Sequence, residues 1–212
     1  MSEEVVRGKS VTIRFDARRC IHSRHCVLDR PDVFVPNVQG EWIHPERATA
    51  AEVLEIARNC PSGAIRCEAA DGAPLEQAPL VNTLRLREDG PLAVRAPVTL
   101  DGGPQGYRLT LCRCGASRHK PYCDSSHTRV EFKASGEVPS ADSQPLAARG
   151  GPLTIALTPD GPLHVTGNLE IVTGTGRTVN RVNDTWLCRC GQSKHKPYCD
   201  GSHKAAGFRS GA

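Results

Sequence analysis

Two stretches of the chain carry the same soft ligands at the same spacing. Residues 112–127 read C-R-C-G-A-S-R-H-K-P-Y-C-D-S-S-H, and residues 188–203 read C-R-C-G-Q-S-K-H-K-P-Y-C-D-G-S-H. The copies differ only at Ala116/Gln192, Arg118/Lys194 and Ser125/Gly201. Cys112 and Cys114 are two apart, so an extended chain turns both thiols to one side. Cys123 and His127 are four apart and share one face of a helical turn. Pro121 interrupts any preceding element, and Asp124 is placed to cap the turn that follows. That turn's N-terminus would offer N–H groups to an anionic centre. Cys188, Cys190, Cys199 and His203 repeat the arrangement. Two such pairs gripping two irons describe a 2Fe–2S centre with three thiolates and one imidazole. The same ligand types also build a Cys3His zinc knuckle, although zinc sites more often pair cysteines as C-x2–4-C. In an iron centre the neutral imidazole removes one negative charge, which raises the potential and leaves the Fe–N bond open to acid.

The elements that must position these ligands are short. Aromatic residues make up 4% of the 212, while Gly and Pro number 20 and 16. Such a chain builds no single large core, and cofactors stand in for buried area. Ten cysteines grouped like ligands favour metals and a reducing compartment over a disulfide framework. Ahead of each ligand run lie an alternating strand, a turn and a second strand. The first copy has Thr83–Arg87, a turn over Glu88–Pro91, and Leu92–Arg95. The second has Leu153–Leu157, a turn over Pro159–Pro162, and Leu163–Thr166. The second copy holds five more residues before its first ligand, expected in a hairpin tip. Residues 71–82 and 134–150 read as a linker and a flexible crossing. Near the N-terminus, Lys9–Asp16 and Gly40–His44 read as strands, and Ala48–Asn59 as a helix turning Val53, Leu54, Ile56 and Ala57 inward. A third cysteine group, Cys20 and Cys26 followed by Cys60-Pro61, belongs to this region.

The pattern C-x-C-x2-S-x3-P-x-C-D-G-S-H resembles the CDGSH, or mitoNEET-like, iron–sulfur family; the first copy departs from it with Ser125 in place of Gly. The resemblance implies two 2Fe–2S clusters, one held by Cys112, Cys114, Cys123 and His127 and one by Cys188, Cys190, Cys199 and His203. Family members pair as homodimers that share a β cap; here both halves lie in one chain, which implies an intramolecular pseudo-dimer and a monomer. The N-terminal region is similar to divergent single-cluster ferredoxins, with Cys20, Cys26 and Cys60 as ligands. Ser23 stands where a full 4Fe–4S ferredoxin has its middle cysteine. Three thiolates imply a 3Fe–4S cluster, as in similar small ferredoxins that serve cytochromes P450. A 4Fe–4S cluster remains open if His22, His25, Ser23 or Cys67, in that order, fills the corner. The plainer reading leaves His22 and His25 as solvent-facing loop residues and Cys67 as a packed thiol.

The expected architecture is α+β: a small ferredoxin-like domain over residues 8–70, then a β-rich tandem with repeats over 83–133 and 151–208. The expected function is electron transfer between a reductase and an acceptor protein. Cluster delivery to an apo-protein, or redox or iron sensing, is the alternative, and a colourless structural zinc protein is a third reading. No nucleophile–base pair or phosphate loop argues for an enzyme. The net charge of +4 comes without basic tracts interleaved with aromatics, so nucleic acid is not an expected partner. No signal-like segment or long apolar run is seen, which sets the expectation of a cytoplasmic, bacterial protein with no membrane anchor.

Overall fold

β-Branched and aromatic residues alternate with polar ones in the first expected strand, and the computed structural model forms it as β2 (Val11–Phe15). The structure describes residues 3–211, which divide into two units, one running to Gln77 and one from Ala78. In the first unit β2 lies between β1 (Glu4–Arg7) and β3 (Ile65–Ala69), antiparallel to both. A short helix, α1 (His25–Asp29), follows the first cysteine. The longer α2 (Ala50–Asn59) starts two residues later than expected because Thr49 and Glu52 form a reciprocal capping box. Val53, Ile56 and Ala57 of α2 are buried against Val11, Ile13, Phe34 and Ile65, and Leu54 is half-buried beside them.

The strand expected over Gly40–His44 does not form. Phe34 and Ile43 make an isolated bridge, with Val35 N–H bonded to Trp42 O and His44 N–H to Val33 O. Pro45 then opens a 3-10 turn, Pro45–Arg47, and removes the N–H that a further rung would need.

The second unit is β-rich. The first repeat contributes β4 (Thr83–Leu86), β5 (Leu92–Leu100) and β6 (Gly103–Leu111). The second contributes β7 (Leu153–Leu157), β8 (Leu163–Val172) and β9 (Thr178–Leu187). Within each repeat neighbouring strands pair antiparallel. The leading strand of each repeat also crosses to the other: β4 pairs parallel with β8 (Leu84 opposite Ile171), and β7 with β5 (Thr99 opposite Thr154). Register breaks between Arg95 and Val98 and between Thr166 and Leu169 let β5 and β8 change partner along their length. Of the five extra residues in the second repeat, three lengthen the hairpin tip and one lengthens each strand.

One core results. Leu84, Leu86, Val94, Val98 and Leu109 from the first repeat pack with Ile155, Val165, Leu169 and Ile171 from the second. Residues 134–150 lack regular structure, as expected of a crossing, yet they are pinned. Ala141 N–H bonds to Val179 O, Arg149 O accepts from Asn82 N–H, and the Arg149 guanidinium pairs with buried Glu170. Asn82 is itself fully buried; its side-chain NH2 donates to Gly151 O and Asn168 O, and its main-chain carbonyl accepts from Glu170 N–H.

A shared core predicts shared unfolding. Ile155→Ala removes a buried side chain of the second repeat and should cost about 2–5 kcal/mol. Amide hydrogen exchange should then accelerate in β5 and β6 as well as in β7–β9. Acceleration confined to β7–β9 would show two independent repeats.

Candidate metal centres

Each ligand run folds back on the strand that delivers it. After β6, Cys112 N–H donates to Pro121 O (2.8 Å) and Cys123 N–H donates to Thr110 O (3.0 Å). The same bonds join Cys188 to Pro197 and Cys199 to Trp186 after β9, at 2.8 and 2.9 Å. The loop between is held by a buried serine: Ser117 Oγ donates to Tyr122 O and accepts from His119 N–H, as Ser193 does with Tyr198 and His195. The motif's Ser and Pro positions therefore set the approach of the two ligand pairs.

Asp124 is not the N-cap of the following turn. The one-turn helices α3 (Ser126–Arg129) and α4 (Ser202–Ala205) are capped by Ser125 and Gly201, both left-handed at φ 66° and 86°. Asp124 sits one residue earlier, its carboxylate accepting from Ser126 N–H and Arg118 N–H at 3.0 Å. Burial works against that carboxylate's charge, but these bonds prevail and hold its pKa at about 2. Asp200 does the same with Ser202 and Lys194.

The ligands come in twos. Cys112 and Cys114 Sγ lie 3.7 Å apart, and Cys188 and Cys190 Sγ 3.6 Å apart. Cys123 Sγ to His127 Nδ1 is 3.5 Å, and Cys199 Sγ to His203 Nδ1 is also 3.5 Å. Metal–sulfur and metal–nitrogen bonds of about 2.3 and 2.0 Å at a tetrahedral angle require edges of about 3.8 Å for S–S and about 3.5 Å for S–N. Each pair is spaced to share one metal ion. Among the described residues no three His, Cys, Asp or Glu side chains gather as one metal site, so the geometry is that of ligand pairs.

The surroundings suit an anionic, sulfur-rich group. Ala116 N–H points to Cys114 Sγ and Ser125 N–H to Cys123 Sγ, at 3.4 and 3.3 Å; Gln192 and Gly201 repeat this. Two of these donors, Ser125 and Gly201, are the N-caps of α3 and α4, while Ala116 and Gln192 sit in the ligand loops. Arg113 and Arg189, at the centres of the two Cys-Arg-Cys runs, are 1% and 4% exposed. Their hydrogen bonds go to carbonyls: Arg113 to Arg87, Ala134 and Ser135, Arg189 to Gly161 and Thr158. Arg113 Nε is buried without a hydrogen-bond partner among the described residues. Burial pulls both guanidinium pKa values down, opposed for Arg113 by Cys188, Glu88 and Asp89 and for Arg189 by Asp101, Cys112 and Asp160. Two buried cations thus stand ready to offset negative centres.

Burial pushes Cys123 up to about 12 and Cys190 up to about 11. In the Cys112–Cys114 pair, the hydrogen bond from Cys114 holds Cys112 below the usual thiol range and raises Cys114. Burial lowers the His127 pKa against the pull of Asp124 and so favours the neutral imidazole that a ligand must be. Raised thiols are protonated in the metal-free chain, so metal uptake releases protons and weakens as pH falls.

The two loops meet main chain to main chain. A Cβ on Gly115 (φ 80°) would lie 2.5 Å from Cys190 O, and one on Gly191 (φ 81°) 2.5 Å from Cys114 O. Lys196 reaches over the Phe132 ring and Lys120 over Phe208, each from the opposite repeat. None of these cross-contacts is marked by the ligand spacing.

In the first unit Cys20, Cys26 and Cys60 line one cavity of about 340 Å³, together with His22, Ser23, His25, Phe15 and Trp42. Burial raises the thiol pKa values of Cys20 and Cys26, and each also feels Cys60. Cys60 caps the C-terminus of α2, so the helix delivers it with Pro61 turning the chain away. Cys67 lies elsewhere, on β3 opposite Ile13, packed in the core.

The profile described as "Iron-binding zinc finger CDGSH type" matches residues 89–128 and 160–204. That described as "Divergent 4Fe-4S mono-cluster" matches residues 6–69. "Uncharacterized protein YjdI" of Escherichia coli strain K12 is 32% identical over 60 residues, covering 28% of this chain and 76% of the relative. The protein of the same name in Escherichia coli O157:H7 matches equally.

The loop contact predicts a cross-effect. Gly115→Ala forces a left-handed alanine against Cys190 O and should cost about 2–4 kcal/mol. Metal analysis should show loss from the second ligand set as well as the first. Full retention by the second set would contradict the contact.

Proposed function

The chain belongs to the CDGSH iron-binding family, its two CDGSH segments following a divergent 4Fe-4S mono-cluster domain, and from that membership we propose that it is an electron carrier with three iron–sulfur centres. Cys112, Cys114, Cys123 and His127 would hold one 2Fe–2S centre, and Cys188, Cys190, Cys199 and His203 the other. Cys20, Cys26 and Cys60 would hold the third, for which the family match favours 4Fe–4S over 3Fe–4S. Such centres supply one-electron transfer at potentials set by ligand type, hydrogen bonds to sulfur and burial.

The observation that carries this reading is the contact between the two ligand loops through Gly115 and Gly191, which puts both donor sets within reach of one another. The N–H groups of Ala116, Ser125, Gln192 and Gly201 would tune each set by bonding its sulfurs. Arg113 and Arg189 would offset negative charge from inside the protein. Partners would be a reductase and an acceptor protein in a reducing compartment, the cytoplasm, met by a monomer that carries its own pseudo-dimer. The role is that of a carrier rather than an enzyme. Among the described residues no helix is long and apolar enough to cross a membrane.

A second reading, cluster delivery or iron sensing, is favoured by the half-exposure of Cys114, His127, Cys199 and His203. Repeated reduction and reoxidation of the loaded chain beside an apo-ferredoxin separates the two. A carrier keeps its iron and sulfide through the cycles. Loss of about two irons per CDGSH segment to the acceptor, slowed by His127→Cys and His203→Cys, would establish delivery instead.

A further inference from the structure

A four-iron cube has four corners, and the first unit offers three thiols to its cavity. Cys67 is withdrawn into the core. Ser23 and His25 line the cavity, His25 as the opening residue of α1. His22 is tied to a ligand sulfur twice. It adopts φ 53°, a left-handed conformation that directs its own N–H onto Cys20 Sγ at 3.4 Å. The same turn brings its ring Nδ1 to 3.9 Å from that sulfur. Histidine takes this conformation more readily than most residues with a Cβ.

The spacing decides which ring nitrogen is available. In the CDGSH segments Nδ1 lies 3.5 Å from its paired sulfur, the edge of a shared coordination tetrahedron. His22 Nδ1 stands further off, where an Nδ1–H can face the Cys20 thiolate. An imidazole protonated on Nδ1 carries its lone pair on Nε2, and the bond at one nitrogen fixes the ligating role of the other. We propose that His22 Nε2 is the fourth ligand of the N-terminal centre and, with Cys20, Cys26 and Cys60, completes a 4Fe–4S cluster. This rests on the reading of the first unit as a cluster domain.

The test is iron and sulfide content with EPR on the anaerobically purified full-length chain. Wild type should hold about eight irons, with the N-terminal centre EPR-silent until reduced. His22→Ala should fall to about seven irons with an oxidised-state signal, or lose the N-terminal centre to leave about four. In either case His22→Cys should restore about eight, at a lower potential because a thiolate replaces a neutral ligand. His25→Ala should match wild type. The proposal is overturned by a three-iron centre in wild type, by His22→Ala retaining about eight irons, by failure of His22→Cys to restore them, or by a loss on His25→Ala equal to that on His22→Ala. About four irons in wild type, all in the CDGSH segments, would instead remove the cluster reading of the first unit itself.

Discussion

Two glycines meeting opposite main chains are the constraint on which the second unit depends. Gly115 lies against Cys190 and Gly191 against Cys114, and at both positions a side chain would collide with a carbonyl. The approach is possible only because each loop enters with a left-handed glycine straight after its second cysteine. Everything beneath serves that approach. The crossed strands β4 and β7 tie the repeats into one core, and the bulged β5 and β8 aim the ligand-bearing ends of β6 and β9.

The two halves are similar rather than identical. Ser125 holds the same left-handed turn as Gly201 at a cost of about 1 kcal/mol for its Cβ. Trp186, whose carbonyl receives Cys199 N–H, is 45% exposed and stacks on His164; the first copy has Thr110 at that place. A fused chain can set its two ligand sets apart in this way, where a homodimer cannot.

Much of the site was legible because its chemistry is local. C-x-C and C-x3-H name a ligand pair each, and their separations match ion-sharing distances without reference to the rest of the fold. The alternation of β4, β5, β7 and β8 is likewise written in neighbouring residues, although the capping box of Thr49 and Glu52 starts α2 two residues beyond the expected Ala48. What stayed hidden is long-range. Asn82 reads as the end of a polar linker, yet it bonds Gly151, Asn168, Arg149 and Glu170 across the repeat boundary. The parallel crossing of β4 onto β8 depends on residues some 87 positions away (Thr83 opposite Glu170), and no local pattern marks it. Gly40–His44 fails as a strand through the proline immediately behind it. Asp124 has the right type for an N-cap but lies one residue early, because the left-handed Ser125 takes that place.

The central claim is that two iron–sulfur centres sit against each other in one folded unit. EPR of the chain with both CDGSH segments fully reduced, compared with the half-reduced state, tests it most directly. Adjacent centres predict a fully reduced spectrum broadened or split by magnetic interaction between them. Two simple signals that add without broadening would contradict the contact, and a colourless protein loaded with zinc would contradict the centres themselves.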